Sequence, residues 1–396
     1  MMWPINFEEM YKISTYSLRL NGAHPNIKNK NKFWYLKIYL LRFIELLCCG
    51  LLVNSIIFYD VVSKKYTEAI KNSLMVIVGI TVIFKHSILI NCNDSIKQLL
   101  KILDEDYKAA ELYGEREKDI ILKSAMSGVK ICRFWLVSAT LTCFMFPAKA
   151  IIEMGNLYMR GEFKLVPMFD FTYPNFIEVH KESTVAYTVL FLMCLSFDLF
   201  SLSIYIGFDP LVPIFMLHTC GQLELISNKL VNVFSKDASR QDIVDDLKRI
   251  NVKLQNIYKF VKMVQNIFII LYEFNMKTTT FLLPFSVFQI MQSLRNREIS
   301  LEFIFFFSGA CLHFYMPCYY SNLLMEKSES LRNAIYFSGW ESRRDIGIRK
   351  TILLMLTRTY VPLGIKTVFY PICLDTFAEM VRQAYGIYNI MNAAWG

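Results

Sequence analysis

Residues 187–209 read YTVLFLMCLSFDLFSLSIYIGFD. Before the closing aspartate this run holds a single ionisable acid, Asp198, and it is long enough to cross a bilayer as a helix, which takes about 20 apolar residues. Six further apolar runs follow the same reading: 38–59, 70–91, 129–152, 264–291, 301–324 and 366–394. The chain has 396 residues, 54% of them hydrophobic and only 19% charged, less charge than a soluble domain of this size normally carries. These features predict an all-α membrane protein with seven transmembrane helices. An odd number of segments, with no internal repeat, argues against the duplicated inverted halves of many transporters.

Topology follows from the basic residues. With the N-terminus in the cytosol, the segments 1–37, 92–128, 222–262 and 323–366 hold 28 Lys and Arg, and the outer segments hold 7. The outer loop 153–185 is net acidic, and no charged side chain follows Arg382. The N-terminus is therefore expected inside and the C-terminus outside. The net charge of +9 is spread over these loops, so it reports topology rather than nucleic-acid binding. No secretory signal pattern stands in residues 1–32, so the first membrane helix serves as its own targeting signal. The one N-x-S/T sequon, Asn93-Asp94-Ser95, then faces the cytosol. The ten cysteines form no C-x-x-C pair and read as small buried hydrophobes, with no metal site expected.

The cytosolic connections carry helical pattern. Ile243, Leu247, Ile250, Leu254, Ile257 and Val261 form a seam that continues into the fifth membrane segment. After Asp209-Pro210, the stretch 214–234 extends the fourth helix inward past a proline bend. The seam serves either packing within the chain or a platform between subunits. The organisation is one membrane domain over 1–396. It comprises a cytosolic segment 1–37, six helices in 38–322, cytosolic helical regions 210–262 and 323–366, and a last helix in 367–396.

No catalytic constellation appears. The five histidines lie in different segments, and there is no nucleophile elbow, phosphate loop or paired intramembrane carboxylate. Neither an enzyme nor a cofactor is expected. Arg42 with Glu45, and Glu273 with Lys277, have the spacing of neutralising pairs. Asp198 has no such partner on its helix. On the last helix Asp375, Glu379, Arg382, Gly386, Asn389 and Ala393 form one polar-to-small stripe, opposite Phe377, Met380, Val381, Ile387, Ile390 and Met391. Such a stripe faces protein or water, not lipid. It either packs against the other six helices or lines an aqueous path, and a path would need several copies around an axis.

Three C-terminal stretches carry a resemblance: LRNAIYFSGW (331–340), LTRTYVPLGI (356–365) and FYPICLDTFAEMVRQAYGIYNIM (369–391). They resemble the insect odorant receptor family through Ala334-Ile335-Tyr336 and Trp340, through Arg358, Pro362 and Leu363, and through Leu374, Thr376-Phe377 and Ala384-Tyr385. Gly386 stands where that family commonly has serine. The other two thirds of the chain agree in topology and spacing only.

The resemblance implies an odorant-gated cation channel subunit that opens a pore with a co-receptor, as a hetero-oligomer, a tetramer, in the plasma membrane of a sensory dendrite. The short loop between the fourth and fifth helices implies the ligand-tuning subunit. It places the ligand, a small volatile organic molecule, among Val82, Ile83, His86, Ser138, Thr142, Phe146, Met193, Phe197, Phe306 and Ala310. It places the pore and gate at Arg382, Gly386, Asn389, Ile390, Asn392, Ala393 and Ala394. Assembly would use Leu331, Ile335, Tyr336, Trp340, Arg358 and Pro362. Membrane lipid is the surrounding partner, and no nucleic acid is expected. The rival readings are a G-protein-coupled receptor, which needs the N-terminus outside, and a transporter.

Overall fold

The computed structural model describes residues 5–27, 30–162, 164–234 and 239–395, so parts of the ranges 1–37, 153–185, 210–262 and 367–396 lie outside the described residues. Among the described residues there are thirteen α-helices and no strand beyond one isolated bridge. In chain order they are α1 (Phe7–Met10), α2 (Lys12–Leu20), α3 (Lys32–Ser55, prolonged by a π-helical turn, Ile56–Asp60), α4 (Tyr66–Asn91), α5 (Asn93–Ala110), α6 (Glu115–Met159) and α7 (Asn175–Glu178). They continue with α8 (Thr184–Phe208), α9 (Leu211–Val233), α10 (Arg240–Arg295), α11 (Leu301–Tyr336), α12 (Ile346–Arg358) and α13 (Leu374–Trp395).

Among the described residues, five stretches are long and apolar enough to cross a membrane: Lys32–Asp60, Tyr66–Asn91, Glu115–Met159, Thr184–Val233 and Leu301–Ser342. The other two apolar runs fall in α10, with Glu273 and Lys277, and in α13, with Asp375, Glu379 and Arg382. The expected start of the last segment is corrected. Residues 366–373 are not helical: Thr367 N–H donates to the Tyr370 carbonyl at 2.7 Å, and Lys366 bridges Pro371. Pro371 has no N–H for a helix ladder, and the residue before a proline is pushed out of the helical region, so the helix begins beyond it.

α9 sits at the centre of one end of the bundle, packed by α6, α10 and α11 and buried along most of its length. A helix apolar on all sides takes that position. The seam Ile243–Val261 is buried along α10 inside this chain, which settles it as internal packing. Ser239 and Asp242 close a capping box at the start of α10. The N-terminal segment is docked, not free. Ser14 Oγ donates to the Gly207 carbonyl at 2.6 Å, Ser17 Oγ donates to the Ser203 carbonyl at 2.7 Å, and the Tyr11 and Tyr107 hydroxyls meet at 2.9 Å.

At the other end, the C-terminus of α13 lies beside the start of α4 and the end of α10. Trp395 stacks on Tyr66 at 5.4 Å, and Arg295 Nη2 donates to Asn392 Oδ1 at 2.8 Å. Here the segment after α6 folds back as a lid, with Met168, Phe169, Phe171 and Tyr173 buried. Lys71 Nζ fastens it through Asp170 Oδ2 at 2.7 Å, and the Tyr187 hydroxyl donates to the Val166 carbonyl at 2.9 Å.

Candidate ligand-binding cavity

Beneath the lid, α4, α6, α8, α10 and α11 surround a cavity of about 100 Å³. Each helix supplies a stripe at helical spacing: Met75 and Val78; Trp135, Ser138, Thr142 and Phe146; Phe197, Asp198, Ser201 and Tyr205; Leu282; Phe306, Ala310 and His313. Phe169 of the lid reaches the walls, with ring centroids 5.6 Å from Phe146 and 6.1 Å from Phe197. Gly309 also lines the cavity, and an added Cβ there would meet Thr142 Oγ1 at 3.2 Å. The lining is largely aromatic and aliphatic with few polar groups, the composition of a small-molecule site.

The structure brings Ser138, Thr142, Phe146, Phe197, Phe306 and Ala310 together around this space. It does not bring Val82, Ile83, His86 or Met193 there. Val82 is wholly packed. His86 is one residue, about 100° of helix, past Lys85, and turns toward α3, where Arg42 Nε donates to its Nδ1 at 3.2 Å. Ile83 and Met193 are partly buried and absent from the lining.

The Arg42–Glu45 pairing is also corrected. Arg42 bonds His86 and, at 3.3 Å, Ser87 Oγ on α4. Glu45 is buried toward α8, where Ser201 Oγ donates to its Oε1 at 3.5 Å. Residues three apart share a flank of a helix, yet long side chains reach across to other helices when those are closer. Lys277 and Glu273 do pair, at 3.0 Å.

Sequence reasoning passed over the polar floor of the cavity. Lys85 is fully buried, with its Nζ 2.6 Å from Asp209 Oδ1, 2.7 Å from His313 Nε2 and 4.0 Å from the centroid of the Tyr205 ring. Tyr205 and His313 also line the cavity, so this lock and the cavity share walls. The signal was present: a lysine inside the apolar run 70–91 has to find a partner. That the partner lies 124 residues away was not visible. Asp198 is the reverse case. It stands without a helical partner in the sequence, and in the structure its Oδ2 is buried with no hydrogen-bond partner.

α13 packs on α10 and α11 through Phe377, Met380, Ala384 and Ile387, and through Met391 against Ile70 and Phe288. Asp375, Glu379, Arg382, Gly386, Asn389 and Ala393 are all exposed, as are Ile390 and Ala394. The polar stripe therefore faces away from the chain's own bundle. Arg382 Nη1 pairs with Glu379 along it at 2.5 Å. Asn392 instead turns inward to Arg295.

Of the six residues expected in assembly, Leu331 and Ile335 are buried within the chain's own core. Trp340 Nε1 donates to the Tyr336 carbonyl at 3.1 Å, and the Arg358 guanidinium covers the Tyr258 ring at 4.7 Å. Tyr336 is exposed and Pro362 half-buried. Beside them α12 and the turn after it expose Ile346, Leu353, Leu354, Tyr360 and Val361. Asp345 caps α12 and accepts from Arg240 Nε at 2.5 Å.

The sequence pattern of the family described as 7tm Odorant receptor matches residues 65–385. The chain belongs to this odorant receptor family. Its similar relatives include Odorant receptor 13a of Drosophila melanogaster, 23% identical over 203 residues, which are 47% of this chain and 48% of that one. Odorant receptor 49a of the same fly is 22% identical over 308 residues, 74% of each chain. The match to the first spans about half of that receptor's length. Among solved structures, the insect olfactory receptor OR5 from Machilis hrabei in complex with eugenol superposes with a TM-score of 0.79 over 98% of both chains at 16% identity. The same receptor described without eugenol gives 0.78 over 97%. That likeness shows a shared fold. The chain is thus an all-α membrane protein of the odorant receptor family, a family of receptors and not of enzymes.

Proposed function

We propose that this odorant receptor is the ligand-tuning subunit of an odorant-gated cation channel. It assembles with a co-receptor as a tetramer in the plasma membrane of sensory dendrites. Seven helices cross the membrane, with the N-terminus inside and the C-terminus outside. A small volatile binds in the cavity under the lid, and α13 lines the pore.

The observation that carries this reading is the orientation of α13. Its apolar side is used against α10 and α11, and its charged and amide stripe has no cover from its own chain. A polar stripe cannot rest in hydrocarbon, and one helix cannot enclose a path. Copies around an axis satisfy both conditions, with Asn389 and the exposed Ile390 facing the conduction path. The apolar face of α12 supports assembly at the other end, where it would meet a neighbouring subunit. Ligand burial between α4, α6, α8 and α11 favours one packing of the bundle and so shifts the α10–α11 surface on which α13 rests.

The test is ligand-evoked current in oocytes, with and without the co-receptor, for the wild type, Asn389→Leu and Ile390→Ala. Current that requires the co-receptor and changes conductance or ion selectivity in these variants supports the reading. Odorant-evoked current indifferent to both substitutions places the pore elsewhere. Saturable uptake without current would make the chain a transporter.

A further inference from the structure

Two polar groups on the cavity walls lack a hydrogen-bond partner, Trp135 Nε1 and Asp198 Oδ2, and one of them is an acid. Thr142 Oγ1 donates to the Ser138 carbonyl at 3.0 Å, and Ser201 Oγ donates to Glu45. His313 Nε2 is held by Lys85, and Lys85 by Asp209. Asp198 is about nine-tenths buried, lines the cavity, and keeps Oδ2 without a donor. Behind Ser201 a second acid, Glu45, keeps Oε2 without a donor. Arg42, the nearest cation along the Glu45 helix, is committed to His86 and Ser87. One acid on the cavity wall and a second behind Ser201 thus each keep an oxygen without a donor, and neither has an ion-pair partner.

A buried acid without a partner is costly, and a ligand that supplies the partner recovers that cost. We propose that the cavity selects small primary or secondary amines, seated as ammonium ions on the Asp198 carboxylate. This assignment rests on the reading of the cavity as the odorant site and names the chemistry it takes. An ammonium–carboxylate hydrogen bond is about twice as strong as a neutral one. The surrounding Phe197, Tyr205 and Phe306 rings suit a cation's N–H and C–H surface. Size adds a limit: a cavity of about 150 Å³ admits benzene, with six heavy atoms, and this one, at about 100 Å³, fits about four, an amine of about three carbons or fewer. Trp135 Nε1 is also unpartnered, but it stands seven residues below Thr142, about 10 Å along α6, too far for one small polar head to serve both groups.

The experiment uses the full-length receptor in lipid nanodiscs at pH 7, where an alkylamine is protonated. Binding of propylamine, 1-propanol and acetone is measured by titration to the wild type, Asp198→Asn, Asp198→Glu and the cavity-filling Gly309→Leu. Elution profile and thermal midpoint confirm that each variant is folded. The expected result is at least tenfold tighter binding of propylamine than of the alcohol or ketone. Asp198→Asn should erase that preference, Asp198→Glu should keep it, and Gly309→Leu should abolish binding of all three. If the alcohol or ketone binds as well as the amine and Gly309→Leu removes both, the cavity stands as the odorant site and the amine assignment falls. If Gly309→Leu leaves binding intact, the cavity itself is not the site. If propylamine fails to bind, the amine assignment is overturned.

Discussion

Separating Lys85 from Asp209 offers a stringent test of the packing described above. The ammonium is wholly buried, at 2.6 Å from the carboxylate and 2.7 Å from His313 Nε2, over the face of Tyr205. Lys85→Met removes the cation and leaves Asp209 facing Tyr205 and His313 with no counter-charge. Asp209→Leu leaves the ammonium with only an imidazole and a ring face. Breaking a buried pair from one side costs about 3–5 kcal/mol, while replacing both partners by apolar groups is often neutral. Unfolding entropy of about 2.1 cal/mol/K per residue gives about 0.8 kcal/mol/K for a chain of this length, so each single substitution should lower the midpoint by about 4–6 °C. Helices that persist in the unfolded, membrane-bound state reduce that entropy, which makes the figure a lower bound. The double variant should recover most of the loss, giving a coupling of several kcal/mol in a double-mutant cycle. The assay is size-exclusion elution of detergent-solubilised receptor after heating. Single variants within 1 °C of wild type, or effects that simply add in the double variant, would refute the ionic lock.

Four further outcomes are expected. Gly79→Ala should lower surface expression, because the added Cβ overlaps Cys49 Sγ and lies 3.0 Å from Phe197, an overpacking cost of about 1–3 kcal/mol; Cys49→Ala on the same background should restore it. Gly386→Ser should leave the fold intact or raise the midpoint slightly, since nothing stands within 4 Å of the new Cβ and serine gains about 0.5 kcal/mol of helix propensity; the change should appear in ion selectivity instead. Burial holds the His24 imidazole below its ordinary value, against the opposing pull of Glu8. Its contribution is therefore fully present above about pH 6.5 and is lost as pH falls through the folded-state value; hydrogen exchange in residues 7–27 should speed up between pH 7 and pH 5, and His24→Phe should flatten that response. Leu354→Glu, on the exposed face of α12, should shift native mass toward the monomer while leaving the chain's own thermal midpoint within about 0.5 kcal/mol of wild type, as surface changes do.

Much of the architecture was legible because it is periodic. The 187–209 run, the seam from Ile243 to Val261 and the proline break at 209–210 each depend on residues a few positions apart, and each has its helix or helix end in the structure. The stripe on α13 was equally legible, since six positions at alternating steps of four and three define a face. What failed depends on neighbours distant in sequence. Spacing proposed Glu45 for Arg42, but the closer groups belong to α4. Lys85 and Asp209 meet only once α8 has packed against α4 and α11. The run 366–373 is apolar enough to read as membrane helix, and Pro371 is the one local sign against it. Expected ligand residues on α6 and α11, and Phe197 on α8, stand around the cavity, whereas Met193 on α8 and those on α4 do not; on α4 a single residue's rotation separates the cavity side from the α3 side. The lid left only a net acidic loop as its trace, and the burial of Phe169 comes entirely from tertiary folding.

α10 is a single helix of 56 residues, about 84 Å at 1.5 Å per residue. The hydrocarbon core of a bilayer is about 30 Å thick, so well over half of α10 extends beyond it as a stiff beam. Its two ends are gripped differently: at one, Arg240 holds Asp345 ahead of α12, and at the other, Arg295 holds Asn392 on α13. Force applied at either grip travels along the same rod instead of dissipating through loops. The interior of that rod has one backbone without an N–H, at Pro284, where the ladder loses a bond. Pro284 lies two residues from Leu282 in the cavity wall, so the beam's natural articulation sits beside the ligand space. A tilt about that point would act as a lever with a short arm toward α13 and a long arm toward α12. Small angular changes at the cavity would then become larger excursions at the Arg240 grip than at the Arg295 grip.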